Sequence, residues 1–388
     1  MKEIFQDRDY LQDVTGDIYQ VIGSIHTKEG IFALQKYKKV SLKESKNTHQ
    51  NFIPSGDPIS KIKNHEFRYW KQRDSNDLFI RILPNYSSKS ANANIEQNVY
   101  KSFSTIFQMQ LIIIPRSQIQ KHWKPQQRFK ELLSTFTSKN FSEKQKLDNL
   151  EREAIEVGIT FESFFNIDIS KIGITGSILW GAHHENSDID IMIYGTEFTK
   201  IINSSKFLSS ESKGLRRFKK IEILPLAEKM AIKTGLPMEE CFEYIYNKNY
   251  LYFFNNRKVS ITFAPNLQEL LRYPLFSPET IFKSIKNITI QAKIEPCEFG
   301  YYYPSLYKIS CNKIQDETDF GPLDITRLIV YEHELVGYYK NGDDVEIRGL
   351  LQECINVPSF NDLKPIKTYQ ILVGGQETFG NEYIRKIK

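Results

Sequence analysis

The residues whose types and spacing can do chemistry are concentrated in one segment, residues 172–194. An apolar strand is predicted first, then a tight turn at Gly176 and Ser177, and then a second strand that opens with Asp188 and Asp190. Because side chains alternate along a strand, the two carboxylates point to the same side, about 7 Å apart. The spacing therefore predicts a pair of hard oxygen ligands that can share divalent cations. Mg²⁺ suits carboxylates together with substrate phosphates.

The turn that precedes the acid pair is typical of a phosphate-binding element. Gly176 lets the backbone approach a ligand where a Cβ would obstruct it. Ser177 adds a hydroxyl, and amides at the start of a following helix can hold a phosphate. Together, turn and acids predict in-line displacement at the α-phosphorus of a nucleoside triphosphate, with pyrophosphate leaving. We expect a nucleoside triphosphate as substrate and Mg²⁺ or Mn²⁺ as cofactor.

A family resemblance rests on the pattern Gly176-Ser177-x3-Gly181-x5-Ser187-Asp188-Ile189-Asp190. This pattern resembles that of the DNA polymerase β-like nucleotidyltransferases. The resemblance implies transfer of a nucleoside monophosphate to a hydroxyl, with Asp188 and Asp190 as catalytic metal ligands. It also implies nucleotide binding by Gly176, Ser177, Gly181 and Ser187. The flanking regions resemble, more weakly, archaeal proteins known only as predicted nucleotidyltransferases of unknown substrate.

The resemblance also implies a third acid on a later strand, which helps to hold one metal ion and deprotonates the attacking hydroxyl. Residues 258–263 are the predicted strand, but Ser260 and Thr262 stand where that acid is expected. Glu222, in a strand-like run, is the alternative catalytic carboxylate; the other interpretation is a surface glutamate among lysines. The sequence therefore supports nucleotide binding more directly than catalysis.

The loop between the turn and the acid pair contains His183, His184 and Glu185. A histidine there can contact phosphate or base, or assist proton transfer; the other interpretation is solvent exposure. Trp180 stands where relatives often have arginine, which removes one phosphate contact.

Two basic clusters predict contacts with nucleic acid. One follows the motif and can line the path of a strand or of the triphosphate through Lys213, Arg216, Arg217, Lys219 and Lys220. Residues 61–73 mix basic side chains with aromatic ones, including Trp70, which suits single-stranded bases. Charge runs are also typical of solvated faces. Combined with a transferase motif, the clusters indicate RNA as the acceptor.

The elements around the motif predict an α+β protein with a central polymerase β-like core, a mixed sheet with helices, between two β-rich parts. Residues 1–124 are the predicted β-rich N-terminal domain, with a mobile loop at 85–98. Residues 125–290 form the predicted core, with helices beginning at Pro125 and near Ser142. Residues 291–388 are the predicted small, barrel-like β domain.

Composition limits the class of protein. The 388 residues are 40% apolar and 26% charged, with a net charge of +5, which is typical of a soluble globular protein of two or three domains. No apolar run reaches the roughly 18–20 residues of a membrane span. The first residues lack the order of a secretory signal, so we expect a cytoplasmic location and no membrane partner. The oligomeric state stays open.

The sequence leaves three functions open. The first is a metal-dependent nucleotidyltransferase acting on RNA. The second is a catalytically weak or inactive protein that retains the pocket and binds nucleotide or RNA, which the missing third acid favours. The third is transfer of AMP to a protein hydroxyl.

Overall fold

Three β-sheets organise the protein. The computed structural model describes residues 3–40, 69–75, 77–84, 88–204, 214–248, 250–275, 280–316, 323–358, 365–375 and 382–387. The α+β class and the mixed central sheet with β-rich flanks are confirmed.

The first sheet has eight strands, with a central path β4-β5-β3-β2-β1-β8 and with β7 joining β3 to β6. Its elements are β1 Tyr10–Asp13, β2 Ile18–Val21, β3 Ile31–Val40, β4 Tyr69–Lys71, β5 Leu78–Arg81, α1 Ser88–Glu96, β6 Lys101–Ser104, β7 Met109–Ile114 and β8 Ile119–Trp123. The hydrophobic strand β3 is buried over its first seven residues, since it lies in the interior of the sheet.

The mobile loop expected at residues 85–98 is wrong where the structure describes it, because Ser88–Glu96 form helix α1, while residues 85–87 lie outside the described residues. Ala91 and Ile95, one helical turn apart, pack on the core of the first sheet. The Asn94 amide donates to the Gln35 carbonyl and its oxygen accepts from the Gln35 N–H, both at 2.9 Å. These polar residues therefore serve as anchors of a short helix rather than as a solvated loop.

The second sheet has the order β11-β12-β13-β10-β9, in which β10 and β13 are parallel and the other pairs are antiparallel. Its elements are α2 Pro125–Thr137, α3 Phe141–Lys144, α4 Asn149–Phe165, β9 Ile172–Ile174, α5 Gly176–Leu179, β10 Ile189–Tyr194, α6 Phe198–Ile202, β11 Leu215–Arg217, α7 Lys220–Thr234, α8 Met238–Asn247, β12 Leu251–Phe254, β13 Arg257–Ala264 and α9 Leu267–Arg272.

The start of the long helix differs from the expectation. The sequence predicted a helix from Ser142, but the long helix α4 begins at Asn149 after the short α3. A capping box starts it: Asp148 accepts from the Glu151 N–H at 2.8 Å, and Glu151 accepts from the Asp148 N–H at 3.2 Å. The helix predicted from Pro125 begins there.

The third sheet closes on itself. Its strands are β14 Ile281–Ile294, β15 Ser305–Ile314, β16 Ile325–Val330, β17 Asp344–Pro358, β18 Pro365–Val373 and β19 Tyr383–Lys386. The order β14-β15-β16-β18-β17 is completed by pairing of β17 with β14, so five strands form a closed barrel with β19 added on β17. The boundary expected at residue 290 falls inside β14, which pairs with β17 from Ile281 onward.

The three sheets share a hydrophobic core. One cluster of buried side chains contains Phe32 and Phe107 from the first part, Ile191 from the second and Phe282 from the third. The Phe107 and Phe282 rings stack with centroids 5.3 Å apart. The sheets are thus held in fixed positions around the site. Among the described residues, no helix is long and apolar enough to cross a membrane.

Candidate functional site

The acid pair lies on the wall of a large cleft. Asp188 immediately precedes β10, Asp190 is its second residue, and both line a cleft of about 530 Å³. Ile189 between them is fully buried, as strand alternation predicts. Asp188 is 53% exposed, so its carboxylate is accessible from solvent. The two acids therefore face one open space.

Gly176 brings the turn against the acid pair. Its φ of +69° is one that L side chains rarely adopt, and a Cβ there would lie 2.2 Å from Asp190 Oδ2. The Thr175 N–H donates to the Asp190 carbonyl at 2.9 Å, which ties the turn to β10. Ser177 lines the cleft beside this contact. A glycine at this position is thus required by both backbone conformation and space.

The strand beside the acids carries a hydroxyl and an ammonium. In the parallel register of β10 and β13, Ser260 stands directly opposite Asp190. The Ser260 hydroxyl donates to Asp190 Oδ1, since a carboxylate can only accept. Lys258 Nζ lies 3.9 Å from Asp188 Oδ2. Thr262 lines the cleft farther along the same strand.

Glu222 is placed away from the acid pair, which corrects the interpretation of its segment as a strand. It lies in the first turn of helix α7, where it accepts from the Lys219 N–H at 2.7 Å. The Arg216 guanidinium donates to both its oxygens, at 2.9 and 3.0 Å. These hydrogen bonds hold the pKa of Glu222 below its usual range. Arg216 belongs to β11, three strands from β10, so Glu222 caps a helix and pairs with an arginine at the far edge of the sheet.

The loop histidines have different surroundings. His183 is buried and its Nε2 lies 2.8 Å from Asp148 Oδ2, so the solvent-exposed interpretation is wrong for this residue. His184 lines the cleft. The Ser187 hydroxyl accepts from the His184 N–H at 3.1 Å and also lines the cleft. Arg257 fixes this loop by donating to the Ser187 carbonyl at 2.8 Å.

Asp148, Glu151 and His183 form a second cluster whose ligand atoms lie within 4.8 Å of one another. Arg73 contacts Asp148 at 2.7 Å and Glu151 at 3.3 Å, and Arg128 contacts Glu151 at 2.7 Å. Although burial raises the pKa of Asp148, hydrogen bonds from Glu151 N–H and His183 hold it below its usual range. The carboxylates are therefore neutralised by arginines, and the cluster is an ion-pair network that fixes the loop.

Gly181 and Trp180 attach the motif to the first sheet. Gly181 has a φ of +72° and its carbonyl accepts from the Arg73 N–H at 3.0 Å, while nothing described lies within 4 Å of an added Cβ. Trp180 is fully buried, with its ring centroid 5.0 Å from those of Tyr37 and Phe79. Trp180, which stands where an arginine was expected to contact phosphate, thus attaches the motif to the first sheet.

The basic cluster after the motif is largely engaged with the protein itself. Arg216 pairs with Glu222 and stacks on Phe253, while Arg217 donates to the Tyr246 carbonyl. Lys219 and Lys220 are exposed at the start of α7. Lys213 and residues 61–68 of the other cluster lie outside the described residues. From residues 69–73, Trp70 lines the cleft.

The flanking sheets supply walls that the sequence analysis missed. The first sheet contributes Arg8, Tyr10, Lys36, Tyr37 and Arg81, and the barrel contributes Tyr301, Tyr303 and His333. Lys36 is buried in β3, with its ammonium donating to the Tyr10 hydroxyl and to Gln20 Oε1. The lysine within this predicted strand was the one sequence signal for the wall, because a lysine is rarely buried unless its ammonium is paired.

Lys248 stands at another part of the cleft. Its ammonium lies 4.8 Å from the ring centroid of Tyr244 and 4.4 Å from that of Tyr250. Burial lowers the pKa of Lys248 to about 8. The cleft therefore combines two acids near the turn with cations and aromatic rings around them.

The donor set beside the turn fits a hard divalent cation. Asp188 and Asp190 offer acceptor-only oxygens that face one cleft, and oxygen ligands of this kind suit Mg²⁺ or Mn²⁺.

One comparison with known proteins matches the segment that contains the turn and the acid pair. Residues 160–247 match the family described as the nucleotidyltransferase domain. The chain is 25% identical over 238 residues to an uncharacterized protein of Methanocaldococcus jannaschii; the alignment covers 61% of this chain and 64% of that protein. The chain thus spans less than two thirds of that relative. No solved structure matches the chain significantly.

Proposed function

We propose, on the premise that residues 160–247 carry a nucleotidyltransferase domain, that the cleft transfers a nucleoside monophosphate from a nucleoside triphosphate to a hydroxyl of RNA. The observation that supports this proposal is the close approach of Gly176 to Asp190, since the turn that we propose binds phosphate then lies beside the acid pair that we propose binds metal. Asp188 and Asp190 would hold Mg²⁺ or Mn²⁺. When bound, the ion supplies charge stabilisation for the pentacoordinate phosphorus and the leaving pyrophosphate.

The residues of the chain itself bind and orient the substrates. The Ser177 hydroxyl, which lines the cleft, would donate to a phosphate oxygen, and Gly176 would leave room for the triphosphate beside Asp190. Ser260 fixes the Asp190 carboxylate by its hydrogen bond. The cleft volume of about 530 Å³ lies in the range of pockets that hold one nucleotide-sized ligand.

The RNA acceptor is supported by the walls of the cleft rather than by the basic cluster that follows the motif. Lys36, Arg81 and Lys248 offer positive charge for phosphates, and Trp70 and Tyr301 offer rings for bases. Because the cleft is enclosed by three sheets, a single-stranded end fits it better than the middle of a duplex. Nucleotide-binding roles for Gly181 and Ser187 then consist of shaping the loop that presents the acids.

Incubation with α-labelled nucleoside triphosphate, Mg²⁺ or Mn²⁺ and total cellular RNA tests this function. Label should enter RNA with the wild type and not with Asp188→Asn. Asp324→Asn, which changes an exposed aspartate that does not line the cleft, is the matched control and should retain activity. Label in a protein band with unlabelled RNA would instead identify a protein hydroxyl as the acceptor.

The second candidate is a nucleotide- or RNA-binding protein that retains the pocket without turnover. The observation that favours it is Ser260, which stands beside Asp190 where a third carboxylate would complete the acid set. This candidate predicts measurable affinity for nucleoside triphosphate and no pyrophosphate release with either metal. Steady pyrophosphate production by the wild type would refute it.

A further inference from the structure

The two positions of β13 that face the acid pair carry the wrong chemistry for a second metal ion. Strand register places Ser260 beside Asp190, and Lys258, two residues earlier on the same face, approaches Asp188. One of the two side chains is neutral and the other is positive. Both acids therefore meet a hydrogen-bond donor at this side of the cleft instead of another carboxylate.

The two oxygens of Asp190 face different surroundings. Oδ2 lies against the Gly176 turn, on the side where the triphosphate is expected. Oδ1 accepts the Ser260 hydroxyl, which occupies a lone pair on the side of β13. An ion that arrives with the triphosphate would take Oδ2 and Asp188 as ligands, whereas an ion on the β13 side would compete with the hydroxyl.

The positive charge of Lys258 also disfavours a second metal ion. Ions in two-metal sites lie about 3.5–4 Å apart and share their carboxylates. The Lys258 ammonium already lies 3.9 Å from Asp188 Oδ2. These two carboxylates and the Lys258 ammonium together carry a formal charge of −1, less negative than the −3 of three carboxylates, which disfavours a second divalent ion. Like charges at such a distance repel strongly at partly buried positions.

We infer that this cleft binds nucleoside triphosphate with a single divalent ion, and that the Lys258 ammonium and Ser260 hydroxyl occupy the place of a second one. The inference rests on the proposed nucleotide site and specifies its metal content. Lys258 reduces the negative charge beside Asp188, and Ser260 positions the Asp190 carboxylate by its hydrogen bond.

Electron paramagnetic resonance of Mn²⁺ tests the inference without requiring turnover. The full chain is saturated with a non-hydrolysable nucleoside triphosphate analogue, and protein-bound Mn²⁺ is counted after removal of the free ion. The wild type should hold one Mn²⁺ with no spin coupling. A double variant, Lys258→Met with Ser260→Asp, should hold two coupled ions. Lys293→Met, which removes an exposed lysine from β14, is the control and should stay at one.

Each outcome separates the inference from the function on which it rests. Two coupled ions in the wild type would overturn the inference and leave the nucleotide site intact. A double variant that binds the analogue but remains at one ion would overturn the roles given to Lys258 and Ser260. No analogue-dependent Mn²⁺ in a folded wild type would refute the proposed function itself. Circular dichroism of each variant establishes that it is folded.

Discussion

Replacement of Gly176 by alanine should separate two effects that a glycine has at this site. The backbone there has a φ of +69°, and forcing an L residue into this region costs about 1–2 kcal/mol. The new Cβ would also lie 2.2 Å from Asp190 Oδ2, whereas real Cβ contacts essentially never fall under 3.0 Å. The carboxylate must therefore move, and the hydrogen bond from Ser260 is strained or lost.

The size of the second effect follows from that hydrogen bond. A bond to a charged acceptor contributes about 1.5–3 kcal/mol, so Gly176→Ala should lose this amount beyond the backbone cost. The displaced Asp190 should also bind metal less well. We expect the affinity for Mn²⁺ with a non-hydrolysable triphosphate analogue to fall at least about tenfold, equivalent to 1.4 kcal/mol.

Gly181 provides the matched control. It has nearly the same φ, +72°, and nothing described lies within 4 Å of its added Cβ. Gly181→Ala should therefore lose only the backbone cost of about 1–2 kcal/mol, and its ligand affinity should fall much less than that of Gly176→Ala because its Cβ does not displace an acid. Urea denaturation measures the stability of both variants, and isothermal titration calorimetry measures binding. Equal ligand affinities for the two alanine variants would refute the reasoning.

Three further changes have expected outcomes. Trp180→Ala should lower the free energy of unfolding by about 3–5 kcal/mol, because a fully buried indole attaches the motif to the first sheet; a loss under about 1 kcal/mol in urea would contradict that role. Burial raises the pKa of Asp7 from 3.8 to about 6, so the stability that its protonated form contributes is present below pH 3.8 and lost as the pH rises through 6. The free energy of unfolding of Asp7→Asn, relative to that of the wild type, should therefore rise by up to about 3 kcal/mol as the pH increases from 4 to 7. A difference in unfolding free energy that does not change with pH in urea titrations would contradict this. Glu222→Gln should leave transfer and metal binding unchanged and cost at most about 1 kcal/mol of stability, and a large loss of label transfer would restore it as a catalytic candidate.

The centre of the motif was open to prediction because its signals are local. Strand alternation alone places Asp188 and Asp190 on one side, and a glycine in the turn indicates a close approach of the backbone. The same reasoning failed at Glu222. Alternating isoleucines at 221 and 223 resemble a strand, yet in helix α7 Ile221 is 70% exposed and Ile223 is buried. Over so few residues, hydrophobic period does not distinguish the two structures.

The cleft walls were not predictable because they depend on contacts between distant parts of the chain. The Thr175 hydroxyl donates to the Arg8 carbonyl, 167 residues away, and the Gln72 amide donates to the Trp180 carbonyl. A single sequence carries no local signal for such contacts. The fold class was accessible from composition and pattern, while the participation of Lys36 and Tyr303 in the site required the packing of three sheets.

The distance in sequence between contacting residues has a consequence for how the protein acquires its site. Ser260 and Asp190 are 70 residues apart, and the parallel pairing of β10 with β13 requires the intervening helices to be in place. Closing loops of this length precedes any gain from the contacts they allow, which makes such pairings slow to form. During synthesis, Asp188 and Asp190 emerge well before the strand that orients them. We therefore expect nucleotide affinity to recover only with the slowest phase of refolding, after the helices have regained their circular dichroism.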